Sequence, residues 1–311
     1  MENNPMVSVL MTAYNRELFI GEAIESVLAS TYTNFELIIV DDCSVDNTVS
    51  IAKHFQEKDS RIKLIVNKTN LGDYPNRNKA ATYAKGKYLK YLDSDDTIYP
   101  HSLDIMVNAM ENNPDIVLGL SHFKAQESLN VFPARLSPEE IYLHHFLKGG
   151  LLFAGPGGTI IRTDYFNTTG GFSGKRYVSD TELWLKTSQK LPVLILQPAL
   201  VCWRRHEGQE FTIGHTNESY VRLNYELNKA FLETTDCPLK EYDRLVAIRN
   251  YKNRFARKII KKITLAKFAQ ARNMKKYSGI GTNDILMSFV PINKIKRLLS
   301  KSFTNSWFQP K

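Results

Sequence analysis

The sequence has few of the features that mark disulfide-rich, disordered or membrane-spanning chains. Its 311 residues include three cysteines, Cys43, Cys202 and Cys237, which lie far apart and form no CxxC pair. This pattern argues against a disulfide framework or a zinc ribbon and is typical of a reducing compartment. No apolar run reaches the roughly 18 residues of a spanning helix, and the polar start MENNP is unlike a signal peptide. We therefore expect a globular, cytoplasmic protein.

Glycine-rich nucleotide motifs are also missing. The segment after the first apolar run reads TAYNR and contains neither GxGxxG nor GxxxxGK[ST]. This counts against dinucleotide-dependent dehydrogenases and P-loop NTPases. A nucleotide bound here would depend on side chains and a metal rather than on glycine-rich backbone.

Acidic residues are almost absent from the C-terminal part of the chain. Residues 244–311 contain 17 Lys/Arg and a single acid, Asp284, whereas the first 243 residues contain 24 basic and 31 acidic residues. The net charge of +9 is therefore the sum of an acidic body and a basic tail. Such asymmetry indicates an anionic surface as a partner.

Hydrophobic periodicity predicts strands that alternate with helices. Buried strands are expected at 7–12, 35–40, 62–66, 88–92 and 116–120. Helices are expected at 17–29, from 48 onward, 76–84, 101–111, 181–189, 219–234 and 240–275. This alternation predicts an α/β fold with a mainly parallel sheet, which places ligands outside the carboxyl ends of its strands.

Two aspartate clusters follow predicted strands. Asp41-Asp42 ends the second, and Asp93-Ser94-Asp95-Asp96 ends the fourth. Three carboxylates within four residues repel one another unless a cation neutralises them. Oxygen donors favour Mg²⁺ or Mn²⁺, which also take oxygens from a substrate diphosphate. The alternative for the second cluster is a helix N-cap with acids near the helix dipole.

Several single residues have an ordinary structural explanation beside a functional one. Asn70 lies in a potential turn, and Arg77 fits the exposed side of a helix. Asp180 fits an N-cap or first-turn acid, and His206 fits a surface position.

In combination these segments resemble the family-2 glycosyltransferases with a GT-A fold. The segments, in chain order, are VSVLMTAYNR, FELIIVDDCSVDNT, NLGDYPNRNKA, GKYLKYLDSDD, SDTELWLK and WRRHEGQ. The resemblance covers about residues 5–215 and implies a Rossmann-like sheet flanked by helices. It divides the chain into a catalytic domain at 1–215 and a helical basic region at 216–311. Within the catalytic domain, about 1–120 would bind the nucleotide sugar and 121–215 the acceptor.

The resemblance also implies roles for individual residues. A nucleotide sugar, with uracil as the usual base, would be held by Thr12, Tyr14, Asp42, Asn70, Arg77, Asp93 and Ser94. Asp95 would bind Mn²⁺ or Mg²⁺ bridging the two phosphates, and His206 would reach the metal or the diphosphate. Asp180 would be the catalytic base, although many relatives carry Glu-Asp where this chain has Ser179-Asp180.

The implied activity is a metal-dependent, inverting transfer of one sugar from a UDP-sugar to a hydroxyl of a glycan or lipid-linked acceptor. Bacterial surface-glycan assembly is the implied setting. The segment from Trp203 to His206 lacks the QxxRW form of processive synthases, which favours a single transfer. The alternatives are a nucleotidyltransferase and a non-catalytic nucleotide-sugar-binding protein of the same fold.

The basic stretch 244–276 contains 12 Lys/Arg and no acid, with apolar residues near one helical face. We expect it to lie on an anionic membrane surface, the inner leaflet for a lipid-diphosphate acceptor. The alternative is a helix packed on the catalytic domain with a solvated basic face. No nucleic-acid motif is present, and we expect no nucleic-acid partner. No oligomeric state is predicted.

Overall fold

The computed structural model describes residues 7–122, 125, 129, 131–206, 209–216 and 218–291. The strands are β1 (Val7–Ala13), β2 (Phe35–Asp41), β3 (Ile62–Val66), β4 (Tyr88–Asp93), β5 (Thr97–Ile98), β6 (Leu118–Ser121), β7 (Ala134–Leu136), β8 (Thr159–Arg162), β9 (Val193–Leu196) and β10 (Val201–Cys202). The helices are α1 (Ile20–Leu28), α2 (Thr48–Lys58), α3 (Asp73–Ala81), α4 (Ser102–Glu111), α5 (Pro138–Leu143), α6 (Thr163–Thr168), α7 (Ser179–Lys190), α8 (Glu210–Thr216), α9 (Ser219–Glu233), α10 (Glu241–Thr264), α11 (Phe268–Ser278) and α12 (Thr282–Met287).

Eight strands form one mixed sheet in the order β3-β2-β1-β4-β8-β6-β9-β7. The first four of these run parallel, whereas β8 runs antiparallel to both β4 and β6. The strand predicted at 116–120 is β6, and β8 separates it from β4. Strands β5 and β10 form a separate antiparallel pair. The α/β architecture follows the sequence prediction, and the N-terminal part of the chain supplies the four adjacent parallel strands β1–β4.

The core lies between this sheet and the helices that cover it. Val7, Val9 and Met11 of β1 are fully buried, as expected for a central strand covered on its faces by other elements. Helix α1 turns Ile20, Ala23, Ile24 and Val27 inward at helical spacing, and all four are buried in the same cluster. This packing fixes where the strands end, and the site residues follow those ends.

Two details differ from the sequence prediction. The helix expected at 240–275 is two helices, because the chain turns at 265–267 between α10 and α11. The helix expected at 76–84 is α3, which already begins at Asp73 after Gly72 with a positive φ of 86°.

The chain divides into two compact units. The first comprises Met1–Ile141 and Leu151–Glu207, and the second comprises Tyr142–Gly150 and Gly208–Lys311. The second unit has its own apolar core, formed by Tyr225, Phe255, Ala256, Ile259, Ala271, Met274 and Ile280. Among the described helices none combines the length and hydropathy needed to cross a membrane. The predicted boundary at 215 stays a prediction, and 292–311 of the predicted basic region lie outside the described residues.

Candidate active site

Parallel pairing brings the ends of β1, β2 and β4 to one edge of the sheet. Thr12 of β1 pairs with Val40 on one side and with Asp93 on the other, and Ala13 pairs with Asp41. The loops that follow these strands are therefore neighbours, although up to 80 residues separate them in the sequence. These strand ends and loops bring Thr12, Asp42 and the Asp93–Asp96 cluster to the same end of the sheet.

Asp42 organises the loop that contains Asn70. Its buried carboxylate accepts hydrogen bonds from the amides of Leu71 and Gly72, each at 2.8 Å, and from Asn67 Nδ2 at 2.7 Å. Asn70 Nδ2 donates to the carbonyl oxygen of Asp42 at 3.1 Å. The two residues predicted to hold a base thus belong to one hydrogen-bonded loop.

The TAYNR segment is fastened to the loop after β2. Asn15 has a positive φ of 51°, and its amide donates to Ser44 Oγ at 2.9 Å. The amide of Val45 donates back to Asn15 Oδ1 at 3.0 Å. Tyr14 is left 46% exposed beside these contacts. An aromatic ring on a fixed loop is a suitable stacking surface for a nucleobase.

Arg77 lies buried on α3 and links two acids. Its Nε donates to Asp73 Oδ1 at 2.7 Å, and one terminal nitrogen donates to Asp93 Oδ1 at 2.6 Å. Its other terminal nitrogen, Nη1, is buried and has no hydrogen-bond partner among the described residues. A guanidinium with an unused donor next to the strand ends is suited to an anionic ligand such as a phosphate.

The second aspartate cluster provides a possible metal site. Asp93, Asp95 and Asp96 each offer an oxygen atom, and the three oxygens lie within 4.8 Å of one another. Burial, with Asp93 adding its charge, raises the pKa of Asp96 to about 8. His206 Nε2 lies 2.9 Å from Asp95 Oδ2, and Arg16 Nε donates to the same oxygen at 3.0 Å. Oxygen donors with an adjacent imidazole fit Mn²⁺ or Mg²⁺, and a cation would relieve the repulsion of these acids.

Arg204 fixes the position of this cluster. Its amide donates to Asp96 Oδ1 at 3.0 Å, and its Nε donates to the carbonyl oxygen of Asp95 at 2.5 Å. Its guanidinium also lies over the ring of Phe19, and His206 stacks on the same ring with centroids 4.4 Å apart. His206 is therefore held beside Asp95 and is not an isolated surface residue.

Asp180 lies at the start of α7 and next to α3. It accepts a hydrogen bond from the Thr181 amide at 2.6 Å and one from the Tyr74 hydroxyl. Burial raises the pKa of Asp180 to about 6, and the two hydrogen bonds and Arg77 oppose the rise, whereas Asp73 adds to it. A carboxyl group with this pKa accepts a proton more readily than an ordinary aspartate and is still ionised at neutral pH.

One turn connects the strand of the aspartate cluster with the helix of Asp180. The buried ammonium of Lys90, on β4, donates to the carbonyl oxygens of Tyr91 and Gly157. Trp184 Nε1, on α7, donates to the carbonyl oxygen of Ala154 at 2.9 Å. Burial lowers the pKa of Lys90 to about 7. The turn at 154–158 therefore accepts a side-chain hydrogen bond from each of the two elements.

The structure brings most of the predicted site residues to one end of the sheet. Asp42 lies with Asn70, Arg77 with Asp93, and Asp95 with His206. Asp180 joins them through Tyr74, and Ser94 is buried between the acids. Thr12 lies beside Asp93 in the sheet, and within the described residues no side-chain hydrogen bond joins Thr12 or Tyr14 to these groups. Asp96 was expected only as a member of the acidic cluster, and the residues that the sequence did not single out are Arg16, Phe19, Asp73, Tyr74 and Arg204. Arg16, Asp73, Tyr74 and Arg204 lie inside the segments that carry the resemblance, which was the one signal for them, whereas Phe19 had none.

Comparisons with known proteins identify the family of this chain. The sequence pattern described as "Glycosyl transferase family 2" matches residues 8–170. An uncharacterized glycosyltransferase of Haemophilus influenzae is 28% identical over 276 residues, which are 85% of either chain. A beta-1,3-glucosyltransferase of Escherichia coli, WfgD, is 35% identical over 144 residues, 46% of this chain and 55% of the relative. Its name gives UDP-Glc as donor and alpha-D-GlcNAc-diphosphoundecaprenol as acceptor.

Solved structures show the same fold. The 1–349 fragment of S. aureus TarS, in complex with UDP-GlcNAc, superposes with a TM-score of 0.65 at 19% identity over 97% of this chain and 92% of that one. The mannosyltransferase PcManGT of Pyrobaculum calidifontis, in complex with GDP-Man and Mn²⁺, gives a TM-score of 0.56 at 13% identity over 93% and 88%. These likenesses confirm the predicted GT-A architecture.

Proposed function

This chain belongs to glycosyl transferase family 2, and from that premise we propose that it moves a single sugar from a UDP-sugar to a hydroxyl of a glycan or lipid-linked acceptor. The observation that carries the proposal is that an acidic cluster and a separate aspartate with a raised pKa lie at the same end of the sheet. Asp93, Asp95 and Asp96 form a compact cluster, while Asp180 lies apart from it beside Tyr74 with a raised pKa. Transfer at an anomeric carbon needs both a stabilised leaving group and a base for the acceptor hydroxyl.

The donor is proposed to lie over the ends of β1, β2 and β4. Tyr14 offers an exposed ring, and its neighbour Asn15 is hydrogen-bonded to the segment that follows Asp42. The unpaired Nη1 of Arg77 suits a phosphate oxygen or a ribose hydroxyl. A UDP-sugar is supported by the TarS complex with UDP-GlcNAc and by the UDP-Glc in the name of WfgD. Thr12, Asp93 and Ser94 complete the proposed donor site.

Asp95 and His206 are proposed as ligands of Mn²⁺ or Mg²⁺. Their donor atoms are 2.9 Å apart, which is close enough for both to face one ion, and Asp93 and Asp96 add further oxygens. When bound, such an ion stabilises the charge of the departing diphosphate as a Lewis acid. Arg16 donates a hydrogen bond to the same oxygen of Asp95 and partly neutralises the negative charge of that carboxylate.

Asp180 is proposed as the general base. It would accept the proton of the attacking acceptor hydroxyl, and a direct attack on the face opposite the leaving group inverts the anomeric configuration. A base of this kind contributes on the order of 10²–10⁴-fold. The acceptor is proposed to be a glycan or a lipid diphosphate, and the basic second unit is proposed to meet an anionic membrane, the inner leaflet in a cell that builds surface glycans.

The test is release of UDP from UDP-Glc and UDP-GlcNAc, with a synthetic GlcNAc-diphospho-lipid as acceptor, with and without Mn²⁺. We expect metal-dependent release by the native chain and a fall of about 10²–10⁴-fold in Asp180→Asn. Asp115→Asn is the matched control, because Asp115 is an exposed acid paired only with Arg135 on the surface. Release that is absent for every donor, or equal in Asp180→Asn, would refute the proposal. Donor binding without turnover would instead support the non-catalytic alternative.

A further inference from the structure

The turn between α10 and α11 exposes large apolar side chains. Ile263, Leu265 and Phe268 are 44%, 55% and 63% exposed and lie within six residues of one another. Phe255 and Ile259, earlier on the same helix, are buried in the core of the second unit. The predicted apolar face is therefore divided: its first part is buried in the core of the unit, and about half of the surface of its last part is exposed.

The exposed side chains are carried by an ordered turn. The amide of Ala266 donates to the carbonyl oxygen of Ile263 at 3.0 Å, and that of Lys267 donates to the carbonyl oxygen of Lys262 at 2.9 Å. Ala266 adopts the left-handed conformation, with φ 55°, that ends many helices. Because backbone hydrogen bonds within the turn hold its shape, Leu265 and Phe268 can contact a partner without refolding of the helix ends.

Cations surround this turn and acids are missing from it. Lys258, Lys261, Lys267, Arg272 and Lys275 are all exposed. The sequence from 244 to 283 contains no Asp or Glu, and the next acid, Asp284, is already paired with Arg249 at 3.0 Å. Glu218 is paired with Lys262 at 2.7 Å. The turn thus combines an apolar tip with a positive rim.

We propose that the 261–275 segment, which we call the basic tip, is the membrane-contact surface of this enzyme. Leu265 and Phe268 would enter the boundary between headgroups and acyl chains, while the surrounding lysines meet anionic headgroups. The exposed Leu265 and Phe268 favour a lipid surface over a nucleic acid. A nucleic acid would pair with the lysines but has no apolar layer for these two side chains. The inference differs from the sequence prediction, in which one long helix lies flat on the bilayer.

This inference rests on the membrane partner named in the proposed function and assigns it a location. The experiment is co-flotation of the full-length protein with vesicles of phosphatidylcholine containing 30% phosphatidylglycerol, in about 50 mM salt. We expect binding that falls at least fivefold in Leu265→Ser/Phe268→Ser and at least threefold in Lys261→Gln/Lys267→Gln/Lys275→Gln. Val131→Ser and Lys53→Gln/Lys58→Gln/Lys190→Gln, at exposed positions of the first unit, are the matched controls and should bind as the native protein does.

Two outcomes of the flotation experiment would contradict the proposal. Native protein that does not float with anionic vesicles overturns it, and so does a tip variant that floats as well as its control. Sedimentation velocity is run alongside, because a second copy of the chain is the competing occupant. A native dimer that dissociates in Leu265→Ser/Phe268→Ser would assign the tip to self-association instead. UDP release toward a soluble acceptor, measured on the same samples, reports separately on the proposed activity.

Discussion

At the scale of single residues, the surroundings of Asp180 determine its suitability as a base. Its carboxyl group is partly buried, and burial raises its pKa to about 6. Tyr74, Thr181 and Arg77 stabilise the ionised form and limit that rise, while Asp73 favours the neutral form. The balance leaves Asp180 ionised at neutral pH and more basic than a solvated aspartate.

The Asp180→Asn variant should separate activity from stability. Transfer is expected to fall by about 10²–10⁴-fold, because an amide accepts no proton. A folded-state pKa above that of the unfolded chain means that Asp180 favours folding at low pH and that this contribution is lost as pH rises through about 6. At pH 8 the variant should therefore melt at or above the native temperature, and the difference should shrink as pH falls towards 4. Differential scanning calorimetry across this range checks both points, and a variant that melts well below the native protein at pH 8 would contradict them.

The pH profile of transfer should report the same carboxyl group. kcat is expected to fall about tenfold per pH unit below pH 6, because protonated Asp180 cannot act as base. Tyr74→Phe removes a hydrogen bond to the ionised carboxylate, which raises the pKa, so that the acid limb moves to higher pH. Initial rates from pH 5 to 8 at saturating donor and metal provide the measurement. An acid limb that stays in place, or moves to lower pH, would show that Tyr74 does not stabilise the ionised form of the proposed base.

At the scale of elements, the turn at 154–158 sets the distance between two parts of the site. It receives a hydrogen bond from Lys90 on β4 and one from Trp184 on α7. Gly158 in this turn packs so closely on β6 that an added Cβ would lie 2.6 Å from the carbonyl oxygen of Ser121. The turn thus has little freedom to move without shifting β4 or α7.

Gly158→Ala tests this packing. The clash is with backbone rather than with a flexible side chain, so we expect a loss of about 1–3 kcal/mol in unfolding free energy. For a unit of this size that corresponds to a fall in Tm of roughly 2–4 °C per kcal/mol. Gly155→Ala is the matched control in the same turn, because nothing lies within 4 Å of its added Cβ. Equal melting temperatures for the two variants would show that the contact with Ser121 is not rigid.

At the scale of the whole molecule, charge and chemistry are divided between the two units. The acidic body holds the clustered aspartates, and the basic residues concentrate in the C-terminal helices. A net charge of +9 taken alone indicates a nucleic-acid partner, whereas its distribution indicates an acidic enzyme with a cationic region of separate purpose.

Donor binding should appear as stabilisation of the whole chain. A ligand that binds only the folded state raises the free energy of unfolding, by about 2.7 kcal/mol when its concentration is 100 times its Kd, and Tm rises with it. With Mn²⁺ present, we expect UDP-Glc or UDP-GlcNAc to raise Tm and GDP-Man to leave it nearly unchanged. Arg77→Gln should lose most of the shift, while Arg162→Gln, a surface ion pair of the same unit, should keep it. A larger shift with GDP-Man would reassign the donor class.

Much of the fold was determined by the sequence itself. The alternation of β-branched runs with amphipathic segments is a local property, and it predicted the first four strands and the helices between them. The aspartates at strand ends were also predicted, because the carboxyl ends of parallel strands meet at one edge. The break of the predicted helix at 265–267 was missed, since Leu265-Ala266-Lys267 contains neither Gly nor Pro.

Only the tertiary structure decided which of these residues meet. The contacts of Arg16 and His206 with Asp95, and of Tyr74 with Asp180, join positions between 79 and 111 residues apart. No local pattern encodes such pairs, because they arise from strand order and helix packing. The same holds for burial, which raises the pKa of Asp180 and covers Phe255 while it leaves Phe268 exposed. The sequence by itself determined the chemical groups, and packing decided their neighbours, their pKa values and their access to a partner.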